Sequence, residues 1–184
     1  PQLRTVALRP HLIWGPGDNH LLPNLLQRAK HGKLRLPGPG KLIDSVYIDN
    51  AASAHLLALD KLGNDPQRVG GKVYFISNDE PVTQGYIIGG LLKAAGVTVD
   101  IQPISPRLAI AAGTLFENGW KWFALKSEPP LTRWSAVHLS TAHWFDISAA
   151  KRDLAYTPQV SITEGLEILA SHYRSSLSVA GKTP

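Results

Sequence analysis

Arg9-Pro-His-Leu-Ile-Trp-Gly-Pro-Gly-Asp18, followed by Asn19-His-Leu-Leu-Pro-Asn-Leu-Leu26, is the stretch on which the fold reading turns. A short apolar strand, Thr5 to Leu8, runs into a proline, then a Gly-Pro-Gly turn, then a helix. A strand that stops at a Gly/Pro-rich loop before a helix is a usual place for a ligand in an α/β sheet. Outward from it, Leu21 to His31 places Leu21, Leu22, Leu25, Leu26 and Ala29 at helical spacing, with Gly32 as the stop. Leu34 to Leu36 reads as a strand closed by Pro37-Gly-Pro-Gly40. Ile43 to Ile48 alternates as a strand and enters a helix through Asp49 or Asn50, either of which can cap it. That helix carries Ala51, Ala54, Leu57, Ala58 and Leu62 and ends at Gly63.

Residues 64–71 form a polar loop, and Lys72 to Ser77 a second continuous apolar strand. Thr83 caps a helix to about Ala95, stopped by Gly96. Its Gly89-Gly90 pair would weaken an isolated helix by roughly 1 kcal/mol each, so close packing against another element is expected there. Val97 to Ile101 alternates as a half-exposed strand. Ser105 to Leu125 is apolar and Trp-rich, interrupted by Glu117, Asn118 and Lys121. A short helix near Thr132 to His138, a brief strand at His143 to Asp146 and a helix from Ile147 to Ala155, capped by Asp146 or Ser148, follow. Ser161 and Glu164 make a capping box for a last helix to about Tyr173, and Ser175 to Pro184 reads as a frayed tail. Strands alternating with helices argue an α/β fold.

The 184 residues suffice for one domain or for a large piece of a bigger one. A chain without Met that begins directly on a strand pattern reads as truncated, and Pro1-Gln-Leu-Arg4 is no signal peptide. No run of 18 apolar residues occurs, so no spanning helix is expected. The absence of cysteine excludes disulfides, Cys-ligated zinc and thiol catalysis, and fits a cytoplasmic location. The net charge of +5 is scattered. Its densest group, Arg28, Lys30, Lys33 and Arg35, has no interleaved aromatics, so a solvated face rather than nucleic-acid binding is expected. The histidines (His11, His20, His31, His55, His138, His143 and His172) form no i, i+4 pair with a neighbouring glutamate, so no metal site is expected. No Gly-x-Ser-x-Gly elbow occurs, and Asp146, Asp153, Glu164 and Glu167 read as caps and solvated faces.

Four separated blocks resemble, in order, the extended short-chain dehydrogenases/reductases of the 3β-hydroxysteroid dehydrogenase/isomerase branch. They are Leu8 to Asp18, Val46-Tyr-Ile-Asp-Asn-Ala-Ala-Ser-Ala-His-Leu-Leu57, Tyr74-Phe-Ile-Ser-Asn-Asp-Glu-Pro-Val82, and Phe145 to Pro158 with Ile162-Thr-Glu-Gly-Leu166. The resemblance implies an NAD(P)-dependent oxidoreductase, present as the C-terminal half of a Rossmann-type, doubly wound fold with its small substrate lobe. Residues 1–15 would be a late Rossmann strand and the nicotinamide-side loop, 16–42 a substrate-lobe helix and strand, 43–80 a return to the sheet, 81–173 mainly substrate lobe, and 174–184 a tail. Arg9, Pro10, Leu12 and Ile13 would lie on the nicotinamide side of the cofactor. Trp14, Asp18, His20, Ile43 and Trp120 would contact substrate, with Trp122, Phe116 and Phe123 as further wall candidates or plain core.

The family's N-terminal Gly-x-x-Gly-x-x-Gly loop is absent from this sequence, and so is its catalytic Tyr-x-x-x-Lys. The residues four after Tyr47, Tyr74, Tyr86, Tyr156 and Tyr173 are Ala51, Asn78, Gly90, Val160 and Leu177. The resemblance therefore implies a longer, homodimeric protein with roughly 130 to 170 further residues upstream, no turnover by this chain alone, and apolar strand edges left bare. Nucleotide-sugar epimerases and dehydratases of the superfamily usually carry Asn where Leu12 stands and Arg where Ile43 stands. With hydrocarbon at both positions, nothing offsets the dehydration of a pyrophosphate. An apolar alcohol or ketone, such as a steroid or a long-chain 3-oxo acid, is expected instead. A non-catalytic binding or regulatory member and a sugar-nucleotide enzyme are the alternatives.

Overall fold

The computed structural model describes residues 3–30, 32–127 and 129–180. Its elements run β1 (Ala7–Pro10), β2 (Ile13–Trp14), α1 (Leu21–Arg28), β3 (Lys33–Leu36), β4 (Leu42–Ile43), β5 (Val46–Tyr47), α2 (Ile48–Asn64), α3 (Pro66–Val69), β6 (Val73–Ile76), β7 (Val82–Thr83), α4 (Gln84–Ala94), β8 (Asp100–Pro103), α5 (Pro106–Trp122), α6 (Arg133–Ser140), α7 (Ser148–Leu154) and α8 (Ile162–Ala180). The expected end of the first helix at His31 lies outside the described residues, as do the chain's first two and last four residues; the expected Tyr173 limit gives way to a helix reaching Ala180.

Parallel pairing dominates, as helical connections between strands require. β1 pairs with β6 (Ala7 opposite Val73, Pro10 opposite Ile76), β2 with β5, and β3 with β8 (Lys33 opposite Asp100); β4 with β7 is antiparallel. The α/β expectation stands. No helix among the described residues is long and apolar enough to cross a membrane.

Several boundaries differ, each for a local reason. β1 lies two residues later than Thr5 to Leu8, because its register is set on β6: the Ala7 N–H donates to the Lys72 carbonyl and the His11 N–H to the Ile76 carbonyl, both at 3.0 Å. It is not buried throughout but alternates exposed and half-buried, having one partner strand among the described residues. The strand expected at Val97 to Ile101 starts only at Asp100. Gly96, at φ 81°, closes a Schellman turn in which the Val97 N–H donates back to the Leu92 carbonyl. Inside the loop at 64–71, Pro66 opens a single helical turn. His143 to Asp146 is no strand; it contributes one bridge, His143 to Ile43. Asp44 Oδ2 accepts the Phe145 N–H there at 3.0 Å in place of a ladder bond.

Caps show the same mixture. Ser161 and Glu164 form the reciprocal box: the Ser161 N–H donates to Glu164 Oε2 at 2.8 Å and the Glu164 N–H to Ser161 Oγ at 3.2 Å. Thr83 Oγ1 accepts from the Tyr86 N–H, and Asp146 Oδ1 from the Ser148 N–H. α2 starts at Ile48 with no side-chain cap, against the expectation of Asp49 or Asn50. Asn50 is buried and used elsewhere. Its amide donates to the Val160 carbonyl (2.7 Å) and its Oδ1 accepts from the N–H groups of Gln159 and Val160.

Two cores result. One gathers Ile87, Leu91 and Leu92 of α4 with Trp14, Leu22, Leu36, Ile43, Tyr47 and Leu169. The other packs the alanines of α2 (Ala51, Ala54, Ala58) against Tyr74, Ile76, Leu154 and Tyr156. Full burial of each large side chain contributes about 1.5–3 kcal/mol. The glycine pair in α4 has the expected cause: a Cβ on Gly90 would lie 2.7 Å from Leu166 Cδ1 of α8.

Candidate functional site

The loop after β1, α1, α4 and the end of α6 with the segment after it enclose a cavity of about 250 Å³. Its walls are mostly aliphatic: Leu12, Leu21, Leu25, Ile43, Ile87, Ile88, Leu91 and Leu139. Its polar groups are His11, His20, Asn24, Arg28, Gln84, His138 and His143. Gln84 is 1% exposed, and its Oε1 is a buried acceptor without a hydrogen-bond partner among the described residues. Such an orphan raises the free energy of an empty cavity by about 1–3 kcal/mol, which a donor-bearing ligand would relieve.

Leu12 sits in this wall at φ 44°, a left-handed conformation that a leucine adopts at a cost of roughly 1–2 kcal/mol. The strain is held by the flanking pairing: the Leu12 carbonyl accepts from Val46 N–H at 3.2 Å, one residue before β2 pairs with β5. The turn that follows is tight. A Cβ on Gly15 (φ 152°) would fall 2.5 Å from Ile48 Cγ2.

At the polar end three imidazoles converge. His11 Nδ1 lies 2.5 Å from Asp44 Oδ1. A carboxylate only accepts, so Nδ1 of His11 carries a proton and donates it to Asp44. Asp44 is 1% exposed, and its second oxygen is taken by the Phe145 N–H. His143 Nδ1 faces the Thr141 carbonyl at 3.0 Å, so its proton also sits on Nδ1. His138 stacks on Trp134 (centroids 4.9 Å, 9° between planes) and leans on His143 at 3.9 Å. Burial, and then the neighbouring imidazoles His143 and His11, lower the pKa of His138. Burial first, and His11 after it, lower that of His143 against the opposing pull of the Thr141 carbonyl and Asp44. Both rings are thereby biased towards the neutral form.

Of the residues expected at the site, Leu12, His20 and Ile43 line this cavity. Arg9 and Pro10 lie in β1, where the Arg9 guanidinium stands 5.7 Å over the Phe75 ring. Ile13 is 41% exposed in β2. Trp14 is buried in the core, its indole N–H donating to Ser45 Oγ at 3.0 Å. Asp18, expected as a substrate contact, is engaged as a helix cap: its carboxylate accepts the N–H groups of His20, Leu21 and Leu22 at 2.8–2.9 Å. Trp120 lines a separate shallow depression with Glu117 and Lys121 and donates to Ser127 Oγ. Trp122 and Phe123 are 87% and 75% exposed, so neither is core. The grouping of His11, His138 and His143, and the orphaned acceptor of Gln84, have no signal in the sequence. No local spacing links positions 11, 138 and 143.

Comparisons with known proteins agree on the family. The model of the 3-beta hydroxysteroid dehydrogenase/isomerase family matches residues 1–103. The chain is 48% identical over 168 residues to a 2-alkyl-3-oxoalkanoate reductase of Shewanella oneidensis, covering 91% of this chain and 43% of that protein. It is 38% identical over 167 residues to the decarboxylating sterol-4-alpha-carboxylate 3-dehydrogenase of Saccharomyces cerevisiae, covering 88% and 47%. The chain thus spans about half the length of the curated relatives it matches. Among solved structures, UDP-glucuronic acid 4-epimerase from Bacillus cereus, crystallised with UDP-glucuronic acid and NAD, superposes with a TM-score of 0.58 at 22% identity. That alignment covers 93% of this chain and 45% of the epimerase and shows a shared Rossmann-type fold.

Proposed function

Because the chain belongs to the 3-beta hydroxysteroid dehydrogenase/isomerase family, we propose that it forms the substrate-side part of an NAD(P)-dependent oxidoreductase. The reaction interconverts a hydroxyl and a ketone on an apolar carboxylic acid of the 3-oxo/3-hydroxy type. The observation that carries this reading is that Leu12 and Ile43 meet in the wall of one aliphatic cavity. A nucleotide phosphate entering there would lose its water against two hydrocarbon side chains, at a cost that neither of them can offset. An alkyl chain gains about 0.8 kcal/mol per buried CH₂ instead.

The polar groups fit the rest of such a ligand. Arg28, with one guanidinium nitrogen on the Pro130 carbonyl at 3.3 Å, keeps further donors for a carboxylate at the rim. Gln84 Oε1 offers its unmatched acceptor to a hydroxyl. Names of two relatives, the oxoalkanoate reductase and the sterol carboxylate dehydrogenase, pair a carbonyl or alcohol with a carboxylate in the same way.

For the cofactor, the fit rests on the surface left by β1 and β2. Arg9 and Ile13 are exposed there, and the left-handed turn at Leu12 carries the backbone between them. Arg9, Pro10, Leu12 and Ile13 would hold the nicotinamide side, and the bound nicotinamide supplies or takes the hydride. The sequence has no Tyr-x-x-x-Lys. The 184-residue chain by itself is therefore expected to bind substrate and not to turn it over.

Calorimetric titration of the chain with a long-chain 3-hydroxy acid, its 3-deoxy analogue and UDP-glucose tests the reading. The hydroxy acid should bind, the deoxy acid several-fold more weakly, and UDP-glucose not measurably. In Gln84→Leu the preference for the hydroxyl should disappear. Binding of UDP-glucose, or indifference to the hydroxyl in the parent chain, would overturn it.

A further inference from the structure

We infer that His11, His138 and His143 form a binding site for one zinc ion, or another divalent ion that prefers imidazole, at the polar end of the cavity. One ligand nitrogen from each residue lies within 4.8 Å of the other two. Around a tetrahedral zinc with bonds of about 2.0–2.1 Å, such nitrogens are roughly 3.3 Å apart. The rings therefore need only small side-chain rotations to close on an ion. All three are half-buried and border the open cavity, so there is room for that movement.

The surroundings are what a metal-binding histidine needs. A ligating imidazole offers one nitrogen to the ion and anchors the other through its N–H to a carboxylate or carbonyl. Asp44 does this for His11 and the Thr141 carbonyl for His143, so Nε2 of each ring is the nitrogen left to face an ion. Asp44 is itself held, by the Phe145 N–H on its second oxygen. The His138 ring, stacked on Trp134, makes no hydrogen bond among the described residues that would compete with ligation. The three come from different places, the end of β1, α6 and the loop after it, so the fold and not one flexible loop assembles them.

The donor set also selects the ion. Imidazole without carboxylate suits zinc, copper and nickel and is poor for calcium or magnesium. Three protein ligands leave a fourth position, and His11, His138 and His143 all line the cavity, so that position opens into it. A divalent ion with three neutral imidazoles and one buried carboxylate beside them carries net positive charge. Its fourth ligand is accordingly a water or an oxygen anion entering through the cavity. This site stands on geometry alone and does not depend on the proposed oxidoreductase reading.

Equilibrium dialysis of the metal-stripped 184-residue chain with Zn²⁺ should give one bound equivalent, and with Ca²⁺ none. Cobalt in place of zinc should show the intense visible bands of a tetrahedral complex, a measurement made on the parent chain and so independent of any variant's folding. Binding should be lost in His138→Ala and His143→Ala with their circular dichroism unchanged. Asp44→Asn should weaken it about ten- to a hundredfold while keeping the stoichiometry. Substoichiometric zinc, weak octahedral cobalt bands, or unchanged affinity in folded His138→Ala would overturn the site.

Discussion

Asn50 and Asn78, 28 residues apart, share a buried hydrogen bond of 2.9 Å from Asn50 Nδ2 to Asn78 Oδ1, and both amides also donate to the Val160 carbonyl. Asn78 Oδ1 accepts the Tyr47 N–H as well, at 3.0 Å. These two side chains tie the start of α2, the end of β6 and the approach to α8 into one polar knot. Asn50→Ala removes the acceptor of the Gln159 and Val160 N–H groups and leaves the Asn78 amide beside a small buried void. At about 0.5–1.5 kcal/mol net per hydrogen bond lost, a drop of roughly 2 kcal/mol or more in urea unfolding is expected. A variant as stable as the parent would show the knot to be replaceable by water.

Two glycines of α5 should respond with opposite signs. A Cβ on Gly113 would stand 2.7 Å from the Thr132 carbonyl and 2.8 Å from the Arg133 nitrogen, which are backbone and cannot swing away. Gly113→Ala should push α6 off α5 and cost about 1–3 kcal/mol. Gly119 has nothing within 4 Å of its added Cβ. Gly119→Ala should stabilise by up to about 1 kcal/mol through helix propensity alone. Thermal midpoints moving apart around the parent value are the readout.

Ala155 follows α7 at φ 57°, where glycine meets no Cβ penalty. Ala155→Gly should raise stability by about 0.5–1 kcal/mol, net of the greater freedom of the unfolded chain. Equal or lower denaturant midpoints would contradict it.

Asp153 carries the main pH dependence. The Lys72 ammonium at 3.0 Å, and after it Arg152 and the Tyr74 hydroxyl, hold its carboxyl down at about 2 from an ordinary 3.8. A depressed acid pKa contributes stability that is present above 3.8 and is lost as pH falls through about 2. Asp153→Asn should therefore be less stable than the parent at neutral pH, and the gap should close as pH falls towards about 2. A gap constant across that range would show that packing, and not charge, is what Asp153 supplies.

The features legible in the sequence are local. The Ser161/Glu164 box and the Thr83 cap are decided within one turn, so sequence spacing suffices. Leu12 and Ile43 stand out in the sequence against the polar side chains expected at those positions in sugar-nucleotide enzymes, and both line the cavity. Asp18 is ambiguous in the sequence because a carboxylate before a helix reads equally as a ligand group or a cap; its three N–H partners show the capping role. β1 is displaced because its limits belong to its partner strand rather than to its own apolar run. The histidine cluster is invisible in sequence for the same reason on a larger scale: it exists only after α6 has packed near the loop following β1.

The two longest strand pairings cross rather than nest. β1 closes on β6, Ala7 to Val73, while β3, which lies between them in the chain, closes on β8, Lys33 to Asp100. Each closure spans roughly 65 residues and costs about 4 kcal/mol of chain entropy before any contact repays it. A chain emerging from a ribosome that joins β1 to β6 must loop out β3, whose own partner is still to come, so neither pair is an early, self-sufficient folding unit. Slow refolding with a single late transition state is the kinetic signature this interlocking implies, and a backbone cut between β3 and β6 would unlatch both pairs at once.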